Sequence, residues 1–245
     1  MNRKNLFRKI LYYISVPKCV LCKETLDIDD LGLCKSCSAT YKAHKQRNCS
    51  RCAKILSECS CSSEYLAAHG IKKVTKVFRY SKQDQALPSN YLIYSLKQDN
   101  RDDVLSFLAE EMANSIKNSF EIEKGKYIVT NVPRRKNAIV KFGFDHAAIL
   151  AKKVSKILKI EYIPMLISKS KTAQKSVIGE ERHRNVRFDY KSKKDLDLKG
   201  YTVLLVDDII TTGASMSSCA TLIKAFRPKQ VIGSALGIAY KDSTS

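Results

Sequence analysis

The stretch "VLLVDDIITTGAS", residues 203–215, begins with four apolar residues, continues with two acids and two isoleucines, and ends in two threonines, a glycine and small residues. Its first four residues have the composition of a buried strand, and the residues after Gly213 can begin a helix. A strand that passes through a short turn into a helix is a unit of parallel α/β sheets, whose ligands bind where the strands end. The two acids are therefore candidate ligand-binding residues.

Outward from this stretch, apolar strand patterns alternate with amphipathic helix patterns. The sequence predicts strands at residues 73–80, 126–133, 161–167, 201–208 and 230–240, and helices at residues 101–120, 145–159 and 213–226. Strands that alternate with helices of this length imply right-handed crossovers between parallel strands. We therefore predict an α/β fold with a doubly wound parallel sheet.

Cysteines are concentrated near the N-terminus, with eight of the nine between Cys19 and Cys61 and only Cys219 elsewhere. This segment has few aliphatic residues and needs a staple to fold, which a bound metal ion supplies. Four thiolates fill a tetrahedral zinc shell and leave no position for a catalytic water. We predict one or two structural Zn²⁺ sites, with disulfides or iron–sulfur clusters as the alternatives. The ligands, in sequential rather than interleaved quartets, are Cys19, Cys22, Cys34 and Cys37, then Cys49, Cys52, Cys59 and Cys61.

The two compositions divide the chain into two predicted parts. Residues 1–66 form an N-terminal helix and a zinc-ribbon module, residues 67–245 form the α/β domain, and the boundary lies near residues 62–69. The helix, over residues 2–14, has an apolar stripe that packs on the next module or, alternatively, lies on a membrane surface. No apolar run reaches the ~18 residues that span a bilayer, and no cleavage site follows the N-terminal stretch, so we expect a cytoplasmic protein.

The charge of the chain indicates a class of partner. It carries 44 Lys and Arg against 24 Asp and Glu, a formal net charge of +20 that is spread along its length. A positive field attracts polyanions, and contacts to phosphates release condensed counterions. Nucleic acid is therefore the first partner to consider, and a solvated lysine-rich surface is the alternative.

The turn after the acids predicts the chemistry of the ligand. Free backbone N–H groups at the helix start, with the hydroxyls of Thr211, Thr212 and Ser215, form a cradle for a phosphate. Carboxylates beside a phosphate must contact another part of the ligand, and sugar hydroxyls donate hydrogen bonds to carboxylates, with Mg²⁺ relieving the charge. A ribose with a 5′-phosphate is implied. Neither the phosphate-loop motif nor the dinucleotide-binding glycine motif is present in the sequence.

Two acids, a spacer pair and T-T-G resemble the phosphoribosyl pyrophosphate (PRPP) binding signature of type I phosphoribosyltransferases. Together with the cysteine knuckles, the chain resembles the ComF family of competence-associated, phosphoribosyltransferase-like proteins. Further matches are "YSLKQDNRDDVLSFLAEEM", "NVPRRK", "FGFDHAAILAKKV" and "AQKSVIGEERHRNVRFDY". The resemblance extends from about Ile10 to the C-terminus, and it implies a type I phosphoribosyltransferase-like sheet with a small N-terminal zinc-ribbon module.

The resemblance also implies roles for individual residues. Asp207 and Asp208 would bind the ribose hydroxyls, and Arg134 or Arg135 would neutralise the pyrophosphate. The 5′-phosphate would lie on the turn formed by Thr211, Thr212, Gly213, Ala214 and Ser215. A basic loop over residues 169–187 would close over the ligand, bind a nucleic-acid backbone or remain solvated, and its candidate contacts are Gln174, Lys175, Arg182 and Arg184. The sequence departs from the family in two places: the family usually has arginine where Phe142 stands, and "SVIGEERHRNV" loosens its usual pattern in the basic loop.

Three functions follow from the resemblance. The first is handling of incoming single-stranded DNA during natural transformation, in the cytoplasm or at the inner membrane, beside a DNA channel and a DNA-dependent ATPase. The second is phosphoribosyl transfer to an unidentified acceptor, and the third is sensing of PRPP without turnover. A donor site is recognisable but no acceptor site, because zinc ribbons are expected where transferases have a hood segment. DNA bases could stack on exposed tyrosines, unless those pack internally: Tyr12, Tyr13, Tyr91 and Tyr94.

Overall fold

The fold is taken from a computed structural model that describes residues 16–81, 86–98, 101–170, 186–191 and 196–239. Several predictions fall on the rest of the chain. The N-terminal helix lies outside the described residues, as do Tyr12, Tyr13, Gln174, Lys175, Arg182 and Arg184.

Seven strands are defined in the described part of the chain. They are β1 (Val74–Tyr80), β2 (Tyr127–Asn131), β3 (Glu161–Tyr162), β4 (Leu166–Ser170), β5 (Val186–Tyr190), β6 (Thr202–Ile210) and β7 (Gln230–Ala239). Five of them form one parallel sheet in the order β1-β7-β6-β2-β3, and β4 pairs with β5 in an antiparallel pair.

Helices connect the strands and cover both faces of the sheet. They are α1 (Lys35–Lys45), α2 (Glu64–Ala68), α3 (Pro88–Gln98), α4 (Asp102–Ser119), α5 (Lys136–Phe142), α6 (His146–Leu158) and α7 (Ala214–Ile223), with short 3₁₀ turns at Leu56–Glu58 and Lys224–Phe226. Within the described residues, no helix is both long and apolar enough to cross a membrane.

The core has two layers because successive strand residues point to opposite faces. Leu204 and Val206 of β6 face a core built with α4 and α6. Val203 and Leu205 face a second core, which α7 and the β4–β5 pair close. Helices and a hairpin on opposite faces of a parallel sheet confirm the predicted doubly wound α/β fold.

One strand prediction was wrong. Residues 161–167 were expected to form a single strand, but β3 ends at Tyr162 and joins the main sheet, whereas β4 begins at Leu166 and pairs with β5. Pro164 lies between them, and a proline cannot donate a hydrogen bond to a sheet ladder. The apolar run is therefore shared between two sheets.

The connections place a topological switch point between β2 and β6. The chain passes from β2 to β3 on one side and from β6 to β7 on the other. Asn131 pairs with Val206, and the Val132 amide donates to the Val206 carbonyl at 2.8 Å, so β2 ends beside Val206 while β6 continues to Ile210 along β7. Ligands of open α/β sheets bind in the crevice at such a point. Asp207 follows Val206 directly.

The first cysteine module shares the core of the sheet. Cys19, Leu26, Leu33 and Tyr41 are buried against side chains of α4. The Tyr41 hydroxyl donates to Glu111 of α4 at 2.8 Å. The module is thus anchored by apolar and polar contacts together, while the division at residues 66 and 67 stays a prediction.

Candidate functional site

The acid pair lies near the carboxyl end of β6, where both side chains are half-buried. Asp207 Oδ1 accepts a hydrogen bond from the Asp208 amide at 2.9 Å, and Asp208 Oδ1 accepts one from the Ile209 amide at 2.7 Å. Burial, and next the neighbouring Asp208 carboxylate, raise the pKa of Asp207 well above its ordinary value. Two carboxylates this close together are stabilised by a bound cation or by hydroxyl groups that donate hydrogen bonds to them.

The turn after β6 is held in a conformation that only glycine adopts easily. Gly213 has φ of +82°, and a Cβ there would lie 2.9 Å from side-chain atoms of the buried Leu66. Thr212 Oγ1 accepts from the Ala214 amide at 3.3 Å and caps the start of α7. Thr211 and Thr212 are exposed, and Ser215 is half-buried. The turn therefore presents hydroxyls and helix-start N–H groups to solvent.

The end of β2 positions Arg134 through several contacts. Its backbone amide donates to Asp145 Oδ2 at 3.0 Å, and its Nη1 donates to the Phe144 carbonyl at 3.3 Å. The guanidinium also stacks over the Phe142 ring, with 4.7 Å between the guanidinium carbon and the ring centroid. Arg135, by contrast, is exposed and precedes α5. Of the two predicted arginines, Arg134 is the one that the fold orients.

His146, which the sequence reasoning missed, links these elements. It is 2% exposed at the start of α6, and its Nδ1 lies 2.5 Å from Arg134 Nη1. Burial, and next the positive charge of Arg134, lower the pKa of His146 to about 4. The ring is therefore neutral near pH 7 and accepts a hydrogen bond from the guanidinium. Its position on the buried stripe of α6 was the available sequence signal.

Lys97 of α3 is a second residue that sequence reasoning missed. Its Nζ lies 3.4 Å from Asp208 Oδ2, and both side chains are partly exposed. The charges of Asp208 and Lys97 both act on the His146 ring. The structure therefore places two contact pairs, Arg134 with His146 and Lys97 with Asp208, around the switch point.

Both cysteine quartets are assembled, and they are sequential as predicted. In each quartet the four Sγ atoms lie within 4.8 Å of one another. Cys22 and Cys34 are 3.7 Å apart at sulfur, and Cys52 and Cys59 are 3.5 Å apart. Tetrahedral bonds of ~2.3 Å to zinc separate sulfurs by ~3.8 Å, so both quartets fit a structural metal ion.

The two quartets are built on the same knuckle. Cys19 and Cys49 each accept, at the carbonyl, a hydrogen bond from the amide four residues later, at 3.0 and 2.9 Å. The donors, Lys23 and Ala53, both have positive φ, at 66° and 58°. Burial raises the pKa of both buried thiols, but backbone N–H groups outweigh it and lower the values to about 7 for Cys19 and about 6 for Cys49. The backbone of each knuckle therefore favours the thiolate, the form that binds metal, at its first cysteine.

A buried lysine lies beside the second quartet. Lys76 is 3% exposed, and its Nζ donates to the Cys61 carbonyl at 2.8 Å. Burial raises the pKa of Cys59, and the Lys76 ammonium acts in the opposite direction. A buried ammonium is stabilised by nearby negative charge, and a four-thiolate metal site carries a formal −2. The charge balance supports a metal at this quartet.

Comparisons with known proteins agree with these features. Residues 143–244 match the phosphoribosyl transferase domain family. Competence protein ComFC of Streptococcus pneumoniae is 25% identical over 231 residues, which cover 87% of this chain and 96% of that protein. DNA utilization protein YhgH of Escherichia coli K12 is 22% identical over 218 residues, covering 86% and 92%. A crystal structure of purine phosphoribosyltransferase from Pyrococcus horikoshii covers 56% of this chain and 80% of its own, with 16% identity and a TM-score of 0.34.

The two relatives cover 87% and 86% of this chain, and the domain match includes β6 and the turn after it. The chain is thus similar over most of its length to competence protein ComFC and DNA utilization protein YhgH, and together with the phosphoribosyl transferase domain match this supports a ComFC-like family.

Proposed function

We propose that this protein handles incoming single-stranded DNA during natural transformation and binds PRPP with Mg²⁺ at the switch point between β2 and β6. The observation that carries the PRPP part is the convergence of three groups at one sheet edge. Asp207 and Asp208 lie near the carboxyl end of β6, the turn of residues 211–215 follows that strand, and Arg134 follows β2. We call these residues the donor site.

Each part of PRPP has a chemical counterpart in the donor site. The carboxylates accept hydrogen bonds from the two ribose hydroxyls, and the start of α7 with its hydroxyls binds the 5′-phosphate. The guanidinium of Arg134 binds the pyrophosphate, because its fork matches phosphate oxygens. Arg135 is exposed beside it and supplies a second cation from the same loop.

Magnesium suits the donor site for electrostatic reasons. The raised pKa of Asp207 reflects two carboxylates that are poorly compensated without a ligand. Mg²⁺ binds through one or two carboxylates together with substrate phosphates. When bound, the ion would offset charge on both the acids and the pyrophosphate.

The DNA part of the proposal is supported by charge. The formal net charge is +20, and two zinc sites would leave about +16. DNA binding dominated by phosphate contacts weakens linearly with the logarithm of salt concentration. We further propose that the protein acts in the cytoplasm, near an inner-membrane DNA channel and a DNA-dependent ATPase, and that the loop with Lys175, Arg182 and Arg184 contacts DNA or closes over PRPP.

Salt titration tests the DNA proposal. Zinc-loaded protein should bind a fluorescent oligothymidylate at low salt, with log affinity falling as log salt concentration rises. Double-stranded DNA of equal length is the matched competitor. If no single-stranded binding occurs at moderate salt, or if its affinity does not depend on salt, the DNA proposal is wrong.

Pyrophosphate release separates the two remaining alternatives. A phosphoribosyltransferase would release pyrophosphate from PRPP and Mg²⁺ when its acceptor is present, and Asp207→Asn with Asp208→Asn should abolish this turnover. A sensor would bind PRPP without turnover and would change its DNA affinity on binding. Asp197→Asn is the control, because Asp197 forms an exposed ion pair with Arg227 on another part of the surface.

A further inference from the structure

Helix α3 crosses the carboxyl edge of the sheet next to the donor site. At its start, Ser89 Oγ donates to the Arg79 carbonyl at 3.1 Å, which fixes the helix to the end of β1. At its other end, Lys97 contacts Asp208 of β6 at 3.4 Å. The helix therefore extends from the end of β1 to the acid pair of β6.

The inner side of α3 is fixed by packing. Leu92, Ile93 and Leu96 are buried in the core beneath the helix. The Asn90 side chain donates to the Ser81 carbonyl at 2.6 Å. The helix is therefore held against the core at the edge of the sheet beside the donor site.

The outer side of α3 presents two aromatic rings to solvent. Tyr91 is 42% exposed and Tyr94 is 62% exposed. They lie three residues apart on one ridge of the helix, and Lys97 follows three residues later. Exposed aromatic rings on a rigid element are poorly explained by packing.

We infer that the ridge of Tyr91 and Tyr94 is a stacking platform for bases of single-stranded DNA, placed so that the bound strand runs toward Asp208 and the donor site. This inference rests on the proposed DNA function. Every base has a face that stacks on an aromatic ring, which gives binding without sequence preference. The sequence of α3, "PSNYLIYSLKQ", contains a lysine and no acid, so its charge suits a polyanion.

The test compares variants of the zinc-loaded full chain in binding to the fluorescent oligothymidylate. Tyr91→Ala with Tyr94→Ala should weaken binding by at least about tenfold, and the matching pair of Phe substitutions should retain nearly all of it. The slope of log affinity against log salt should not change, because no phosphate contact is removed. Tyr65→Ala is the control, since Tyr65 of α2 has a similar exposure of 44% but lies outside the ridge.

The outcomes separate the stacking platform from the DNA-handling proposal on which it rests. If the wild-type protein binds the oligonucleotide and the alanine pair binds equally well, the platform is wrong while DNA handling stands. Loss of binding in the phenylalanine pair would also overturn the platform, because stacking does not need the hydroxyl. If the wild-type protein binds no single-stranded DNA, both the stacking platform and the DNA-handling proposal are wrong. Single Tyr94→Ala repeats the test at the more exposed position, where folding is least affected.

Discussion

Arg134 Nη1 lies 2.5 Å from Nδ1 of His146, a buried histidine that is neutral near pH 7. This contact joins the loop after β2 to the start of α6. It orients the guanidinium toward the edge of the sheet where Asp207 and Asp208 lie. A protonated imidazole could not accept this hydrogen bond, so the contact requires the low pKa of the ring.

The pH dependence of stability should reveal His146. Its pKa is lowered from 6.5 to about 4 in the fold, under the influence of burial, Arg134 and Lys97, with Asp208 acting in the opposite direction. As pH falls, the unfolded chain binds the proton first, so the unfolding free energy is retained above about pH 6.5 and falls between there and pH 4. The loss should reach about 3 kcal/mol.

Denaturant unfolding of wild type and His146→Gln at several pH values measures this effect. Glutamine can accept from Arg134 but does not titrate, so the difference between the two proteins should shrink as pH falls from 7 to 4. Comparing the two curves cancels the acid sensitivity of the cysteine sites. A constant difference would show that His146 is not buried as a neutral ring.

Asp207→Asn should stabilise the ligand-free protein and weaken PRPP binding. Burial and Asp208 raise the pKa of Asp207, so its ionisation opposes folding, and stability falls as pH rises through the folded-state pKa. Asparagine removes that penalty but accepts hydrogen bonds less strongly than a carboxylate. We expect a higher melting temperature and at least about tenfold weaker PRPP binding, measured by thermal denaturation and calorimetry. A lower melting temperature of the variant would contradict this account of the acid pair.

Two zinc ions should be found per chain. Metal analysis should give one ion for Cys22→Ser and one for Cys52→Ser, because each substitution opens a different quartet. Loss of the first ion should lower the melting temperature more, since Cys19 belongs to the core shared with α4. Cys219→Ala is the control, as Cys219 lies in α7, apart from both quartets. Equal loss of both ions in either variant would argue against two separate sites.

Gly213→Ala should destabilise the protein and impair the phosphate cradle. Positive φ and the 2.9 Å approach to Leu66 both act against a Cβ, and we expect a loss of about 2 kcal/mol or more. Gly125→Ala is the matched control, because Gly125 also has positive φ, at 75°, with no neighbouring atom within 4 Å of an added Cβ. The difference between the two variants, measured by denaturant unfolding, isolates the clash. Equal losses would show that Leu66 yields without cost.

Local sequence patterns predicted most of the fold and part of the candidate site. The strand, acids and turn around Gly213 are contiguous, and the cysteine quartets follow fixed short spacings, so both could be predicted from the sequence. The contacts of Lys97 and His146 could not, because α3 and α6 meet β6 only through tertiary packing. Helix α3 itself left a signal, with Pro88 at its start and buried Leu92, Ile93 and Leu96 at helical spacing. The prediction of a single strand over residues 161–167 was wrong because hydrophobicity alone does not determine which sheet a residue joins.

Calorimetry with PRPP and Mg²⁺ tests the central claim, which is that the switch point between β2 and β6 is a PRPP site. The zinc-loaded protein should bind PRPP with one site per chain, and binding should weaken sharply without Mg²⁺. Asp208→Asn and Arg134→Ala should each weaken it by at least about tenfold, since each removes a charge-assisted contact. Asp197→Asn should bind like the wild type. No heat of binding for the wild-type protein, or equal affinity in the Asp208 and Arg134 variants, would contradict the account.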